Sequence, residues 1–239
     1  MRWKVVAIAI GKLLLTSTFA AAQTDSASHP AREPALARAW IVPVGIAASV
    51  ALDPEMREWA LNGHTRSLDH FAKSVNRLGT AQRLVPAIAL TYVSALVTRH
   101  ESLANGTLKA AAAYIASDLI ESALKPVVGR ERPHVEGNSH RFRPITANGD
   151  WHSFPSAHIA HITAIAQAIS MQTRSTRLTA LCGSLVALVA WDRVYEDQHW
   201  TSDVTATIAL SSWVSGATIR WLESHWMATS ATAGTPTPK

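Results

Sequence analysis

A single cysteine among 239 residues leaves no partner for an internal disulfide. Cys182 lies in an apolar run and is expected to be a small core residue. Alternation of apolar and polar residues, the mark of a half-buried strand, is missing, and so is any internal repeat. Long apolar runs are missing too. The uncharged stretches Trp40–Leu52, Leu84–Thr98, Leu178–Trp191 and Val204–Ile219 hold 13, 15, 14 and 16 residues, each short of the roughly 20 a helix needs to cross a bilayer. Such lengths favour a soluble or membrane-associated body, with an integral membrane protein as the alternative. A strong excess of one charge is absent as well. The 22 Lys and Arg residues face 17 Asp and Glu, and setting aside Arg2, Lys4 and Lys12 of a removable leader leaves 19 against 17, or +2. No nucleic-acid footprint remains.

That leader runs from Met1 to about Ala22. It has a basic start, an apolar stretch from Val5 to Leu15 broken by Lys12, and Ala20-Ala21-Ala22 before Gln23. It reads as an export signal, with an uncleaved anchor as the alternative, and places the protein in the periplasm or at a membrane with its site on the outer side. Residues 23–38 read as a mobile arm, 39–226 as one folded domain and 227–239 as a disordered tail.

Within the domain the pattern is helical throughout. Apolar or amphipathic segments fall at about 40–52, 56–78, 82–99, 107–128, 156–173, 176–192 and 200–224. Asp53-Pro54 and Asn105-Gly106 read as breaks between them, Thr107 as an N-cap and Gly129 as a helix stop. The expected fold is an all-α bundle of about six core helices. One connection, Pro133 to His152, is long and carries His134, His140, Arg141, Arg143, Asp150 and Trp151. Its cations and aromatic residues suit a cover over an anionic pocket, or equally a solvated loop.

Three polar stretches interrupt the apolar bundle at helix ends. In the first, Lys125 closes a helix and Arg132-Pro133 follows. Taken alone, Lys125 pairs with Glu121 one turn back and Arg132 faces solvent. In the second, Ser153-Phe154-Pro155-Ser156-Ala157-His158 precedes a helix, where a hydroxyl, free amides and the macrodipole form a ready anion site. The plainer reading makes Ser156 an N-cap and His158 and His161 core histidines. The third is Trp191 to Asp203. Here a helix starting near Trp200 sets Asp203 one turn beyond His199, able to hold one ring N–H and leave the other nitrogen free to attack. Arg193 pairs with Asp192 or Glu196 on the plainer view. Coincidence explains each stretch singly, but all three together supply what a tetrahedral oxyanion needs: arginines for bidentate contacts, a lysine point charge and helix-tip amides.

These stretches resemble the signature of the type 2 phosphatidic acid phosphatase superfamily, which also holds bacterial acid phosphatases and vanadium haloperoxidases. Its pattern is K-x6-RP, then PSGH, then SR-x5-H-x3-D. Lys125, Arg132 and Pro133 meet the first, and Arg193, His199 and Asp203 meet the last at the same intervals. Two positions depart from it. Ala157 replaces a glycine and resists positive φ, and Asp192 replaces a serine, where it either repels a phosphate or orients Arg193.

The resemblance implies a hydrolase that releases phosphate from lipid phosphates, diphosphates or small esters without a metal or other cofactor. It makes His199 the nucleophile of a phosphohistidine intermediate and Asp203 the group that fixes its tautomer. Lys125, Arg132, Ser156, Ala157 and Arg193 bind phosphate, and His158 is the acid and base. Three cations are expected to keep His199 neutral, and vanadate, a phosphate mimic, to inhibit. The rivals are a vanadium-dependent haloperoxidase, a metal hydrolase built on His140, His152, His158, His199 and Asp203, and a non-catalytic phosphate-binding membrane protein. Trp151, Trp191 and Trp200 near the motifs lean towards a lipid substrate.

Overall fold

A computed structural model of the protein describes residues 41–233, with side chains described through residue 225. The export signal and arm expected before residue 39 lie outside the described residues. The chain forms α1 (Ile41–Asn62), α2 (Arg66–Asn76), α3 (Ala81–Val97), α4 (Glu101–Val128), the single turn α5 (Pro133–Glu136), α6 (Ala157–Thr173), α7 (Thr176–Tyr195) and α8 (Thr201–Ala233). Short 3-10 turns cover Arg77–Gly79 and Gly149–Trp151. The described residues contain no strand, only an isolated antiparallel bridge between Arg130 and Phe142. The all-α expectation holds, with seven helices of eleven residues or more among the described residues.

Local chemistry explains several helix ends. Thr65 caps α2 by accepting the Leu68 amide, and Ser175 caps α7 by accepting that of Leu178. Helix α4 stops at Gly129, which takes the left-handed φ of +58° and donates its amide to the Lys125 carbonyl. A Cβ there would lie 1.8 Å from the Arg143 carbonyl oxygen, so the return of the chain against this turn also requires glycine.

Four boundary expectations are corrected. Asp53-Pro54 lies inside α1, and the break falls at Gly63–Thr65 instead. The polar Asp53 is buried there because it has tertiary partners, described below. Asn105-Gly106 lies inside α4, where Thr107 turns its hydroxyl back to the Leu103 carbonyl; the residue capping that helix is His100. The connection from Pro133 to His152 contains α5 and a 3-10 turn, and its Arg141 is engaged with Glu131 and Glu136. Helix α8 continues to Ala233, past the expected start of the tail.

Helix α6 is the axis of the bundle, packed against α4, α7 and α8. Ile159, Ile162 and Ala166 meet Val75 of α2, Cys182, Val186 and Val189 of α7, and Val204 and Ile208 of α8. On its other side Ala164 and Ala168 meet Ala110 and Ala113 of α4 and Ile219 of α8, where small side chains let the backbones approach. The periphery is different. Helix α3 buries only Ala95 and exposes Val85, Leu90, Val93, Leu96 and Val97. Helix α7 runs beyond the uncharged stretch at both ends, taking in Thr176-Arg177 and Asp192–Tyr195 to reach 20 residues, and is long and apolar enough to cross a membrane by length and composition. The segments Arg66–Gly79 and Ala81–Val97, bent by 49°, pass the same test only as a pair.

One buried ion cluster joins α1, the α4–α6 connection and α8. The Arg130 guanidinium donates to Asp53 at 2.8 Å, to Asp203 at 2.5 Å, to the Ser202 hydroxyl at 2.7 Å and to the Ser139 carbonyl. Its face lies against the rings of Phe142 and Trp200. Replacing Arg130 with Met would leave two carboxylates buried without their cation. The expected loss is about 3–5 kcal/mol, read as a lowered denaturation midpoint against the parent.

Candidate active site

Three helix ends converge at one end of α6. The last turn of α4 supplies Lys125, and the segment after Gly129 supplies Arg130, Glu131 and Arg132. This segment is pinned by its backbone: Arg132 donates its amide to the Asp150 carbonyl at 2.8 Å, and Arg130 accepts the Ser153 amide at 3.0 Å. Ser156 stands before α6 in extended conformation, its amide on the Thr207 hydroxyl. Ala157 opens the helix, where the first amides have no partner within it. The turn between α7 and α8 carries Glu196 to Trp200, with the amides of Gln198 and His199 returning to the Arg193 carbonyl.

His199 is buried, and its Nδ1 lies 2.5 Å from the Ser153 carbonyl oxygen. A carbonyl can only accept, so Nδ1 carries the proton and Nε2 keeps its lone pair. This corrects the expectation for Asp203, which has no hydrogen bond to the imidazole. Asp203 instead accepts the Ser153 hydroxyl at 2.5 Å, the Trp200 amide at 3.0 Å and the Arg130 guanidinium. It therefore holds the residue whose carbonyl holds the histidine. Its position at the first turn of α8 explains why: the side chain caps that helix instead of reaching back to His199.

The three expected cations act on both histidines. Burial first, then Arg132, Arg193 and Lys125, push His199 well below the ordinary imidazole range, against the opposing pull of the Ser153 carbonyl. Burial, then Arg193, His161, Lys125 and Arg132, push His158 down to about 4. Arg132 is itself lowered, by burial and then by Arg193. At neutral pH both rings are uncharged inside a cationic wall. Two buried polar atoms of this wall have no partner, the Ser156 hydroxyl oxygen and His158 Nε2. Such atoms are costly in a folded protein, and a bound anion with ester oxygens would satisfy both.

The cations also have partners of their own. Lys125 rests on Glu121 at 2.8 Å. Arg132 donates to the Gln198 side chain at 2.7 Å and to the Gly149 carbonyl at 3.1 Å. Arg193 donates to Asp192 and Glu196. Ala157 has no positive φ, so this position does not need a glycine. The five residues of the alternative metal set do not come together. His152 Nε2 faces the Thr146 carbonyl, and the group with ligand spacing among the described residues is Asp118, Glu121 and His161.

Several contributors escaped the sequence reading. Ser153 belongs to the second polar stretch without a role of its own there, and Arg130 sits beside Arg132, which is the signal that points to both. Others come from far earlier in the chain. Gly79 lies against His158, where an added Cβ would come within 2.9 Å of the histidine Cβ. Arg57 of α1 grips Asp197 with two bonds of 2.8 and 2.9 Å, and Asp197 has a φ of +55° two residues before His199. Asn76 of α2 donates to Glu196, and Tyr195 donates to Asp69. No spacing in the sequence announces these contacts.

A family model described as the PAP2 superfamily matches residues 106–227. No curated protein sequence matches the chain. Aquifex aeolicus LpxE is similar in structure, with a TM-score of 0.55 and 21% identity over 70% of this chain and 94% of that one. So is the first transmembrane PAP2 type phosphatidylglycerolphosphate phosphatase from Bacillus subtilis, with a TM-score of 0.59 and 18% identity over 77% of this chain and 94% of that one. Identities at this level speak for the shared fold.

The depressed His158 gives a stability prediction with a definite sign. Below about pH 6.5 an unfolded chain takes up a proton on this ring, while the folded chain does so only near pH 4, so the stability it contributes is present above 6.5 and lost as pH falls through 4. Asp192, pushed up to about 6 by burial, acts in the opposite sense, so the comparison of variants isolates His158. His158→Gln should lose less stability than the parent between pH 7 and 4.5, measured by chemical denaturation; an equal loss contradicts the burial of a neutral ring.

Proposed function

The chain belongs to the PAP2 superfamily, and from that premise we propose that it is a metal-independent phosphatase working through a phosphohistidine. The observation that carries this reading is the coincidence of three features: a buried His199 with its proton fixed on Nδ1, a wall of Lys125, Arg132 and Arg193, and the partnerless Ser156 hydroxyl and His158 Nε2. One nitrogen is free to attack and one free to move a proton, both beside charge suited to phosphoryl oxygens.

In this mechanism the His199 Nε2 lone pair attacks phosphorus in line with the ester oxygen. The phosphorus–oxygen bond breaks, its electron pair goes to the leaving oxygen, and His158 gives that oxygen a proton. The arriving anion lifts His158 from its depressed value, which allows it to carry that proton. The phosphorylated ring is cationic, and the Ser153 carbonyl on Nδ1 stabilises it, with Asp203 steadying Ser153 from behind. His158, now neutral, takes a proton from water. The hydroxide formed attacks phosphorus, breaks the phosphorus–nitrogen bond and releases inorganic phosphate. Lys125, Arg132, Arg193, the Ser156 hydroxyl and the Ala157 amide hold the oxygens throughout.

The substrate class that fits best is a lipid phosphate. The exposed apolar residues of α3, the exposed Trp213 and Trp221 of α8 and the spanning length of α7 all favour a protein at a membrane. The similar Bacillus subtilis protein is described as transmembrane and as a phosphatidylglycerolphosphate phosphatase. We place the site on the outer side of that membrane, because the leader reads as an export signal.

His199→Ala should lose about four or more orders of magnitude in kcat, as expected for removal of a nucleophile, and should yield no acid-labile phosphoprotein on rapid quench. His158→Ala should lose about 10²–10⁴ yet still form the phosphoprotein with a good leaving group. Parent-like turnover by His199→Ala contradicts the assignment. Vanadate should inhibit; bromide oxidation by added vanadate and hydrogen peroxide would identify a haloperoxidase instead. A substrate panel with and without detergent decides between lipid and soluble esters.

A further inference from the structure

The edge of Arg193 that suits a phosphate is already taken. Its Nε and Nη2 donate to one oxygen of Asp192 at 2.9 and 2.7 Å, and Nη2 donates also to Glu196 at 2.5 Å. Only Nη1 is left. Asp192 is fully buried, and its other carboxylate oxygen has no partner. The wider site follows the same pattern, since Lys125 rests on Glu121. Lys125 is thus paired with Glu121 and Arg193 with both Asp192 and Glu196, while Arg132 rests on neutral amide oxygens.

Resting on the phosphatase reading above, we propose that Asp192 is a positioning residue that sets the affinity of the site for a dianionic phosphate. Its carboxylate occupies the bidentate edge of Arg193 and cancels the charge an incoming dianion needs. The anion competes on better terms for the Nε–Nη2 edge, which Glu196 also touches, when this carboxylate is neutral or replaced. Burial favours the neutral form and raises the Asp192 carboxyl to about 6, against the pull of Arg193 and helped by Glu196. A proton in mild acid then removes that negative charge and weakens its hold on the arginine.

The charged and titratable groups around the pair come from every neighbouring element. Glu196 follows on α7 and accepts Asn76 of α2. Lys125 and Glu121 belong to α4, Arg132 precedes α5, His158 and His161 lie on α6, and His199 precedes α8. On the far side Asp69 of α2 bonds Tyr195 and His64, and Arg57 of α1 holds Asp197. A bound anion raises both His158 and His199 as well, so the Asp192 share is read by comparing variants.

The test is sulfate binding by calorimetry to the full-length parent and to Asp192→Asn, which keeps the shape and removes the charge. Sulfate stays a dianion from pH 5 to 8, so its own protonation does not enter. At pH 7.5 the variant should bind about tenfold tighter, since a close like charge commonly costs one pKa unit or more and each unit is tenfold. At pH 5 the two should agree within about twofold, because the parent carboxyl is then protonated. A gain in affinity cannot come from structural damage. Equal affinities at pH 7.5, or an equal gain at both pH values, overturns the proposal. If Asp192→Asn does not fold, Asp192→Ser should show the same gain, and sulfate affinity of the parent that is flat between pH 7.5 and 5 overturns it alone. A parent that binds neither sulfate nor orthophosphate at either pH sinks the phosphatase reading and this proposal together; a parent that binds sulfate and hydrolyses esters, beside a variant that matches it, sinks only the role of Asp192.

Discussion

A guanidinium almost shut off from water, that of Arg130, is the contact on which the rest of the structure depends. It sits between Asp53 and Asp203, which are both buried, and takes up the Ser202 hydroxyl and the Ser139 carbonyl as well. Burying three charges is costly, and such a cluster survives only when nearly every donor and acceptor is matched. Here they are: Asp53 also accepts the Ser202 amide and hydroxyl, and Asp203 also accepts Ser153 and the Trp200 amide. The reward is alignment. Asp203 cannot shift without unmatching Arg130, Ser153 cannot shift without Asp203, and the Ser153 carbonyl sets the tautomer of His199. A chain of short bonds thus runs from α1 to the His199 ring.

The same logic explains the electrostatics of the pocket. A cationic wall alone would repel itself, and in this protein each wall member rests on something: Lys125 on Glu121, Arg132 on neutral amide oxygens, Arg193 on Asp192 and Glu196. The histidines answer to the same field. They sit too deep, and too near these cations, to hold a proton at neutral pH. The site is therefore preorganised for an anion while remaining stable in its absence.

How much of this was legible beforehand depends on distance along the chain. The helices were readable because apolar periodicity is a local signal, and Gly129 was readable as a stop because positive φ favours glycine. The motif residues Lys125, Arg132, Ser156, His158, Arg193 and His199 were readable as one constellation, because chemistry of that kind is rare in an apolar bundle. Asp53-Pro54 misled, since a polar pair in an apolar run looks like a break until the partner, Arg130, is known to lie 77 residues later. Asp203 misled differently. Its four-residue spacing from His199 suggested a direct contact, but the backbone between them turns into α8, and the carboxylate caps that helix instead.

The grip of Arg57 on Asp197, of Asn76 on Glu196 and of Asp53 on Arg130 has a bearing on what the smallest working piece of this protein is. All three of these donors and acceptors precede residue 106, where the recognised family segment begins. Part of the scaffold that keeps the motif residues in register thus lies outside the stretch that carries the motifs. The boundary drawn by likeness to relatives therefore falls inside the functional unit and not at its edge.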